Sequence, residues 1–511
     1  MERTQKSTLQ KFLDWVERVG NRLPHPVIIF IILAVIIAVI SAILHSLGVS
    51  ATYFDAKANE EVTVQAVSLL DGDGLRYIFD SAVENFTGFA PLGNVLVTIL
   101  GVGVAEGTGL IAAALKKLIT RVPNALLTAV VVLAGIISNI ASDAGYVVVV
   151  PLGALVFAGA GRHPLAGLAA AFAGVSGGFS ANLIFGPTDA LLSGITNAAL
   201  ESVGMDYTVS VTGNWYFLVA STVILTLVGT WVSLKIVEPH LGTYTGALKK
   251  DDQPLTEVEH RGLRNAGITL VILLIISALM MIPDWGLFKT IDPDTGKYSL
   301  EAFLNGGLIF YLFLMFSIPG IVYGVTTKAI KSSGDFVEAM AGSMRSMASF
   351  IVLSFFAAQL IAYFSYTNIG LLLASGGVNL LEKVGLTGLP LIIAFILLAA
   401  FVNLFIGSAS AKWAIMAPIF VPMFYQLAMS PELTQMAYRV ADSSTNIISP
   451  LMSYFAMILV FMQDYDEDSG LGTLVSMMLP YSIAFLIFWT LLLAAWYLLG
   501  LPLGPGAPLF I

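Results

Sequence analysis

Apolar stretches of about 20 residues recur from one end of this chain to the other, and as helices each is long enough to cross about 30 Å of hydrocarbon. In lipid, every backbone N–H and C=O must be satisfied internally, which leaves helices or closed barrels. Barrel strands alternate apolar and polar residues, and these stretches do not. Of the 511 residues, 57% are hydrophobic and 11% charged, so a soluble fold would leave most apolar faces without a partner. The reading is an all-α, polytopic membrane protein. Single spans are expected at 26–47, 91–111, 214–237, 265–283, 302–325, 346–366 and 474–499. The first, Pro26 to Leu47, follows Lys6, Lys11, Arg18 and Arg22, is too long for a signal peptide and lacks a small-residue cleavage site.

Basic residues orient the chain. Lys116, Lys117 and Arg121, then Lys235, Lys249, Lys250, Arg261 and Arg264, then Lys328, Lys331 and Arg345 mark connections that should face the cytoplasm. The connections at 49–90 and 284–301 are mainly acidic, while the acidic run Asp464, Asp466, Glu467 and Asp468 fits the bias less well. With 24 Lys and Arg against 33 Asp and Glu, no nucleic-acid surface is expected. Zero cysteines exclude disulfides and thiolate metal sites.

Two regions depart from plain apolar sequence. At 122–200 and 388–460, Gly, Pro, Asn, Ser and Asp interrupt segments that should lie at membrane depth. Tyr146 to Phe157, YVVVVPLGALVF, aligns without gaps on Trp413 to Phe424, WAIMAPIFVPMF, pairing Pro151 with Pro418. The partner segments then supply SANLI at 180–184 and STNII at 444–448. The same two-part order twice points to internal duplication. The charge bias has the two regions entered from opposite faces, which makes an inverted repeat. The three apolar pieces near 124–141, 144–160 and 165–185 either all cross, or the first two form a re-entrant hairpin; parity does not separate these.

A helix broken at mid-membrane offers its terminal N–H and C=O groups to an ion or an anionic substrate. Glycines such as Gly135, Gly145, Gly177, Gly178 and Gly407 are explained as well by close helix packing. The accompanying Asn139, Ser142, Asp143, Asn182, Asp189, Asn403, Ser408, Ser410, Asp442, Ser443, Ser444 and Asn446 are not. Asp442 and Asn446 are four residues apart, hence on one helical face. Asp442 can supply a cation ligand or carry a proton; its structural alternative is a pair with Arg439 or Lys412. Asp143 and Asp189 are costly if buried, with helix capping or a wet hairpin tip as the alternative. Trp413 can close over a flat ring, or simply pack. Pro418, Pro431 and Pro450 can hold the break open, or simply end helices. Arg439 can receive a carboxylate or reach the surface.

Other chemistry is disfavoured. There is no G-x-x-x-x-G-K-[ST] phosphate loop and no H-E-x-x-H motif, and the five histidines are dispersed. A hydrolase built on the serines of GSASAK lacks an evident base apart from a Ser410–Lys412 arrangement. The chain is expected to be a transporter and not an enzyme.

SDAGYVVVVPL, GGFSANLIFGPTDALLSG, GSASAKWAIMAPIFVPM and YRVADSSTNIISPL resemble the AbgT family of p-aminobenzoyl-glutamate transporters and antimetabolite exporters, over essentially the full length. The resemblance implies a bacterial inner-membrane homodimer, an inward-facing bowl whose subunits each have nine transmembrane helices and two re-entrant hairpins. The hairpins would fall at 124–158 and 391–427, with broken spans at 165–200 and 436–461. The chain would then divide into N-terminal helices and scaffold (1–121), first core repeat (122–200), central scaffold and dimerisation helices (201–387), second core repeat (388–461) and C-terminal helix (462–511). The family's polar site carries over to Asp189, Asn403, Ser410, Trp413, Pro431, Arg439, Asp442, Asn446 and Pro450. The resemblance permits a sodium ion at Asn403, Asp442 and Asn446, with protons as the other coupling ion. It implies small aromatic substrates. Proton-coupled export of sulfonamide-type antimetabolites is favoured over ion-coupled import of p-aminobenzoyl-glutamate.

Overall fold

In a computed structural model of the chain, the described residues are 26–55, 60–120, 122–141, 144–244, 255–291, 298–300, 302–303, 307–373, 376, 383, 385–449, 452 and 454–511. Among them, six helices are long and apolar enough to cross a membrane, or seven when the bent pair at Ser333–Arg345 and Phe350–Tyr366 counts as one. The molecule is a polytopic α-helical membrane protein. Two small antiparallel hairpins, Ser50–Asp55 with Glu60–Gln65 and Thr290–Ile291 with Tyr298–Ser299, lie in connections.

The expected single spans are present. They are α1 (Pro26–Ser46), α4 (Ala90–Gly107), α10 (Trp215–Val232), α12 (Glu257–Met281), α13 (Leu308–Thr327), α15 (Ala348–Tyr366) and α20 (Leu471–Leu499). Between α1 and α4 come the short α2 (Gly72–Asp80) and α3 (Ala82–Thr87), and α5 (Leu110–Thr120) follows α4. Helix α12 starts eight residues before the expected 265, because Thr256 and Glu259 form a capping box and polar residues carry the first turns. Hydropathy sees only the apolar remainder. Likewise α15 is preceded by the amphipathic α14 (Ser333–Ser346), capped by Ser332 and Asp335, with a 48° bend between them.

Both broken regions consist of shorter pieces. The first holds α6 (Leu127–Ser138), α7 (Ala144–Gly159), α8 (Pro164–Phe172) with a wider turn at Ala173–Gly177, and α9 (Pro187–Glu201). After α10 a second wide turn, Ser233–Val237, leads into α11 (Glu238–Leu241). The second region holds α16 (Gly388–Asn403), α17 (Ala409–Gln426), α18 (Pro431–Asn446) and α19 (Phe455–Gln463). A helix such as α6, at 12 residues, is about 18 Å long and does not reach across about 30 Å of hydrocarbon. Its end therefore stays inside the protein, where polar side chains must satisfy it.

Small residues let the pieces approach closely. A Cβ on Gly167 of α8 would run into the Gly153 carbonyl of α7, and one on Gly174 into the Val132 carbonyl of α6. The two broken regions pack on each other together with α10 and α20, and their apolar side chains belong to one continuous core. Helices α4, α12, α13 and α14 pack among themselves beside it. Exposed Val35, Val39, Val271, Ile275 and Leu279 on α1 and α12 form apolar faces of the kind that lipid covers.

Candidate functional site

Helix α16 ends at Asn403, and α17 begins six residues later behind Ser408, whose hydroxyl accepts the Ala411 N–H. That break places Asn403 and Lys412 against the C-terminal half of α18, where Asp442 and Asn446 share one face. Lys412 and Asp442 are both fully buried and paired, Nζ to Oδ1 at 2.6 Å. Lys412 Nζ also donates to Asn403 Oδ1. Asn403 Nδ2 donates to the Asp442 carbonyl (2.7 Å), Thr445 Oγ1 (2.8 Å) and Asn446 Oδ1 (2.8 Å). Asn446 Nδ2 reaches Asp442 Oδ2 at 3.2 Å, and Ser449 Oγ donates to the Asn403 carbonyl. A carboxylate taken out of water must be paired and hydrogen-bonded, and this cluster does both.

A second buried ion pair joins the two broken regions. Arg439 of α18 lies 2.7 Å from Asp189 Oδ1 at the start of α9. The other Asp189 oxygen accepts the Gly186 N–H at 2.7 Å, closing the first turn of α9. Asp189 thus caps a helix and pairs with a cation, one oxygen for each. The Ser180 N–H donates to Ser443 Oγ, a further tie between the two breaks.

The breaks are alike in one bond. Asn139, just past the end of α6, donates through Nδ2 to the Gly178 carbonyl at 3.3 Å; Asn403, at the end of α16, donates to the Asp442 carbonyl. Each bond joins residues 39 apart in sequence. The STNII–SANLI match puts the same offset between the two pairs, so Asp442 stands where the first region has Gly178.

Trp413 is buried. Its ring stacks on Tyr438 at 4.5 Å and its Nε1 donates to Thr196 Oγ1 at 3.0 Å. Thr196 in turn donates to Gln435 Oε1, and Gln435 Nε2 donates to Asn214 Oδ1. Asn214 holds the Glu432 carbonyl, and the Glu432 carboxylate accepts from Tyr207. This thread runs from Trp413 along α18 to its first turn. A cavity of about 670 Å³ lined by Lys116, Pro151, Glu259 and Tyr323 contains none of these residues; the buried polar network is the stronger mark of chemistry.

A family model described as the AbgT putative transporter family matches residues 11–511. The chain belongs to this family. It is 41% identical, over 97% of its length and 96% of the relative's, to the p-aminobenzoyl-glutamate transport protein of Escherichia coli K12. The Alcanivorax borkumensis YdaH transporter, whose crystal structure is described as showing an unusual topology, matches at TM-score 0.87 and 44% identity, covering 94% of this chain and 100% of that one. Neisseria gonorrhoeae MtrF, described as illuminating a class of antimetabolite efflux pumps, matches at TM-score 0.90 and 47% identity, covering 97% and 100%.

Of the positions carried over from the AbgT resemblance, Asn403, Asp442 and Asn446 meet directly, and Asp189 meets Arg439. Ser410 is half-buried and close to Ser408 (3.3 Å between hydroxyls), and among the described residues it makes no bond to the Lys412 cluster. Pro431 is the first residue of α18 behind the Ser430 cap, a position suited to proline. It lies 11 residues, about 16 Å of helix, from Asp442. Pro450, Ser142 and Asp143 lie outside the described residues. Trp413 faces Tyr438, which takes the ring contact proposed for a substrate. From sequence alone Lys412 is only a candidate partner for Asp442 or base for Ser410. A lone lysine in an apolar helical segment carries the same signal as a lone aspartate. Thr196, Gln435, Tyr438 and Thr445 were not singled out, since hydroxyls and amides on helices are ordinary until their partners are known.

The sodium set does not fit a metal ion as it stands. Lys412 Nζ sits on Asn403 Oδ1 and Asp442 Oδ1, and Asn446 Oδ1 faces the Asn403 amide. Two of the three proposed ligands already hold an ammonium, and the third accepts an N–H.

Proposed function

We propose that this protein is a secondary active transporter of small aromatic compounds like p-aminobenzoyl-glutamate, working in a bacterial inner membrane. The observation that carries it is the gathering of two buried ion pairs, Lys412–Asp442 and Arg439–Asp189, where short helices of both broken regions end. Charges that costly belong in a membrane protein where an ion or substrate passes. The family membership, with relatives described as a p-aminobenzoyl-glutamate transport protein and an antimetabolite efflux pump, supports the substrate class.

In this reading α6–α7 and α16–α17 are re-entrant hairpins and, with the broken spans α8–α9 and α18–α19, form two inverted repeats; the repeated Asn139 and Asn403 bonds support the relation. Nine spans, the division at residues 121, 200, 387 and 461, and a homodimer complete it. Coupling is to protons and the direction is export of sulfonamide-type antimetabolites. Import of p-aminobenzoyl-glutamate is the second reading; the description of the Escherichia coli relative as a p-aminobenzoyl-glutamate transport protein supports its substrate.

Counterflow in proteoliposomes tests the class. Unlabelled p-aminobenzoyl-glutamate or sulfamethazine trapped inside should accelerate entry of the same labelled compound, saturably and without a change of mass. A chemically altered product, or flux that never saturates, would contradict a transporter.

A further inference from the structure

We propose that Lys412 is a built-in cation for the second repeat: its ammonium takes the place between Asn403 and Asp442 that a sodium ion would fill, so this site carries no metal. The inference rests on the transporter reading of the same site and adds what neutralises Asp442. The geometry is that of a ligand shell. One amide oxygen, Asn403 Oδ1, and one carboxylate oxygen, Asp442 Oδ1, converge on Nζ. The two N–H groups of Asn403 Nδ2 are shared among three acceptors within 2.8 Å, which turns its oxygen toward the ammonium. Asp442 Oδ2 is engaged by Asn446, which leaves Oδ1 for the cation. Lysine here is a fully desolvated point charge, the property that oxygen ligands of a monovalent metal also answer to.

The first repeat supplies the comparison. Its equivalent asparagine makes the equivalent backbone bond, yet Asn139 Oδ1 is buried with no hydrogen-bond partner among the described residues. In the gap-free alignment of Tyr146 with Trp413, Gly145 stands where the second repeat has Lys412. A Cβ at Gly145 would run into Ser138 Oγ, so a side chain there would require Ser138 to move. The two repeats therefore differ by an ammonium and by its counter-ion, Lys412 with Asp442 against Gly145 with Gly178. The Lys412–Asp442 site is balanced in charge without an added ion.

The test is direct binding of radioactive sodium to the purified full-length protein, with sodium-dependent thermal unfolding against a choline control. Wild type should show no saturable sodium binding. Lys412→Ala, which empties the ammonium's position and keeps the carboxylate, should acquire it, with a melting midpoint that rises with sodium concentration. Lys412→Ala combined with Asp442→Asn should lose both. A Lys412→Ala protein that is recovered folded only in sodium would give the same answer. Saturable sodium binding to wild type that Asp442→Asn abolishes would overturn the proposal, as would a folded Lys412→Ala protein indifferent to sodium. Should Lys412→Ala fold in neither salt, the wild-type measurement decides alone. Counterflow of sulfamethazine and p-aminobenzoyl-glutamate by wild type, run in sodium-free vesicles, separates the two levels. Absence of all flux with these sodium-binding results intact would remove the transporter reading and leave the cation assignment standing.

Discussion

Lys412 and Asp442 face each other from two different helices, Nζ to Oδ1 at 2.6 Å, and neither side chain touches solvent. Each charge is tolerable there because of the other. Removing one partner of a buried pair costs about 3–5 kcal/mol, while replacing both by apolar or neutral groups is often nearly neutral. Asp442→Asn is therefore expected to lower the thermal midpoint in detergent markedly. Lys412→Met with Asp442→Asn should recover most of that loss and still transport nothing. An Asp442→Asn protein as stable as wild type would mean the pair is not buried in the working protein.

Asp189→Asn separates the two tasks of that residue. An amide oxygen can still accept the Gly186 N–H and start α9, but Arg439 loses its carboxylate. We expect a destabilisation of about 3 kcal/mol or more from the stranded guanidinium. Asp189→Glu should fall between, since its longer side chain keeps the charge and disturbs the cap. Chemical unfolding followed by tryptophan fluorescence measures both, and an Asp189→Asn protein indistinguishable from wild type would show that the cap is its whole role.

Trp413 offers a further separation. Trp413→Phe keeps a ring against Tyr438 and loses the bond to Thr196, an expected cost of about 1 kcal/mol. Trp413→Ala empties a fully buried site and should cost about 3–5 kcal/mol. If Trp413 acts by packing, Trp413→Phe transports at close to the wild-type rate; a large rise in KM with unchanged stability would instead place the indole on the substrate.

Gly167→Ala tests the contact of α7 with α8. The added methyl would have to displace the Gly153 carbonyl, which is backbone and gives little. Overpacking of this kind costs about 1–3 kcal/mol, so the variant should express poorly or melt early. Gly159→Ala, where nothing among the described residues lies within 4 Å, is the matched control and should behave as wild type.

Much of this architecture was legible beforehand because lipid imposes a simple rule on length and polarity. The spans at 26–47, 91–111 and 474–499 needed only hydropathy. The ends of α12 and α14 did not follow from it, since they are set by capping boxes at Thr256 and Ser332 outside the apolar stretch. The partners of the charges were equally out of reach. Asp442 had two candidate cations, and only the fold shows that the break before α17 delivers Lys412 while Arg439 turns to Asp189. The motif spacing puts Asp442 and Asn446 on one face, but that Asp442 Oδ1 meets Lys412, 30 residues away in sequence, follows only from the fold.

The most direct test of the account is flux of sulfamethazine and of p-aminobenzoyl-glutamate in proteoliposomes of known orientation, with proton and sodium gradients imposed independently and the membrane potential clamped. The account predicts that a proton gradient alone, in sodium-free vesicles, drives the substrate out of the cytoplasmic side, and that a sodium gradient alone drives nothing. Robust sodium-driven transport that ignores the proton gradient would contradict it, and net movement toward the cytoplasm under an inward proton gradient would reverse its direction.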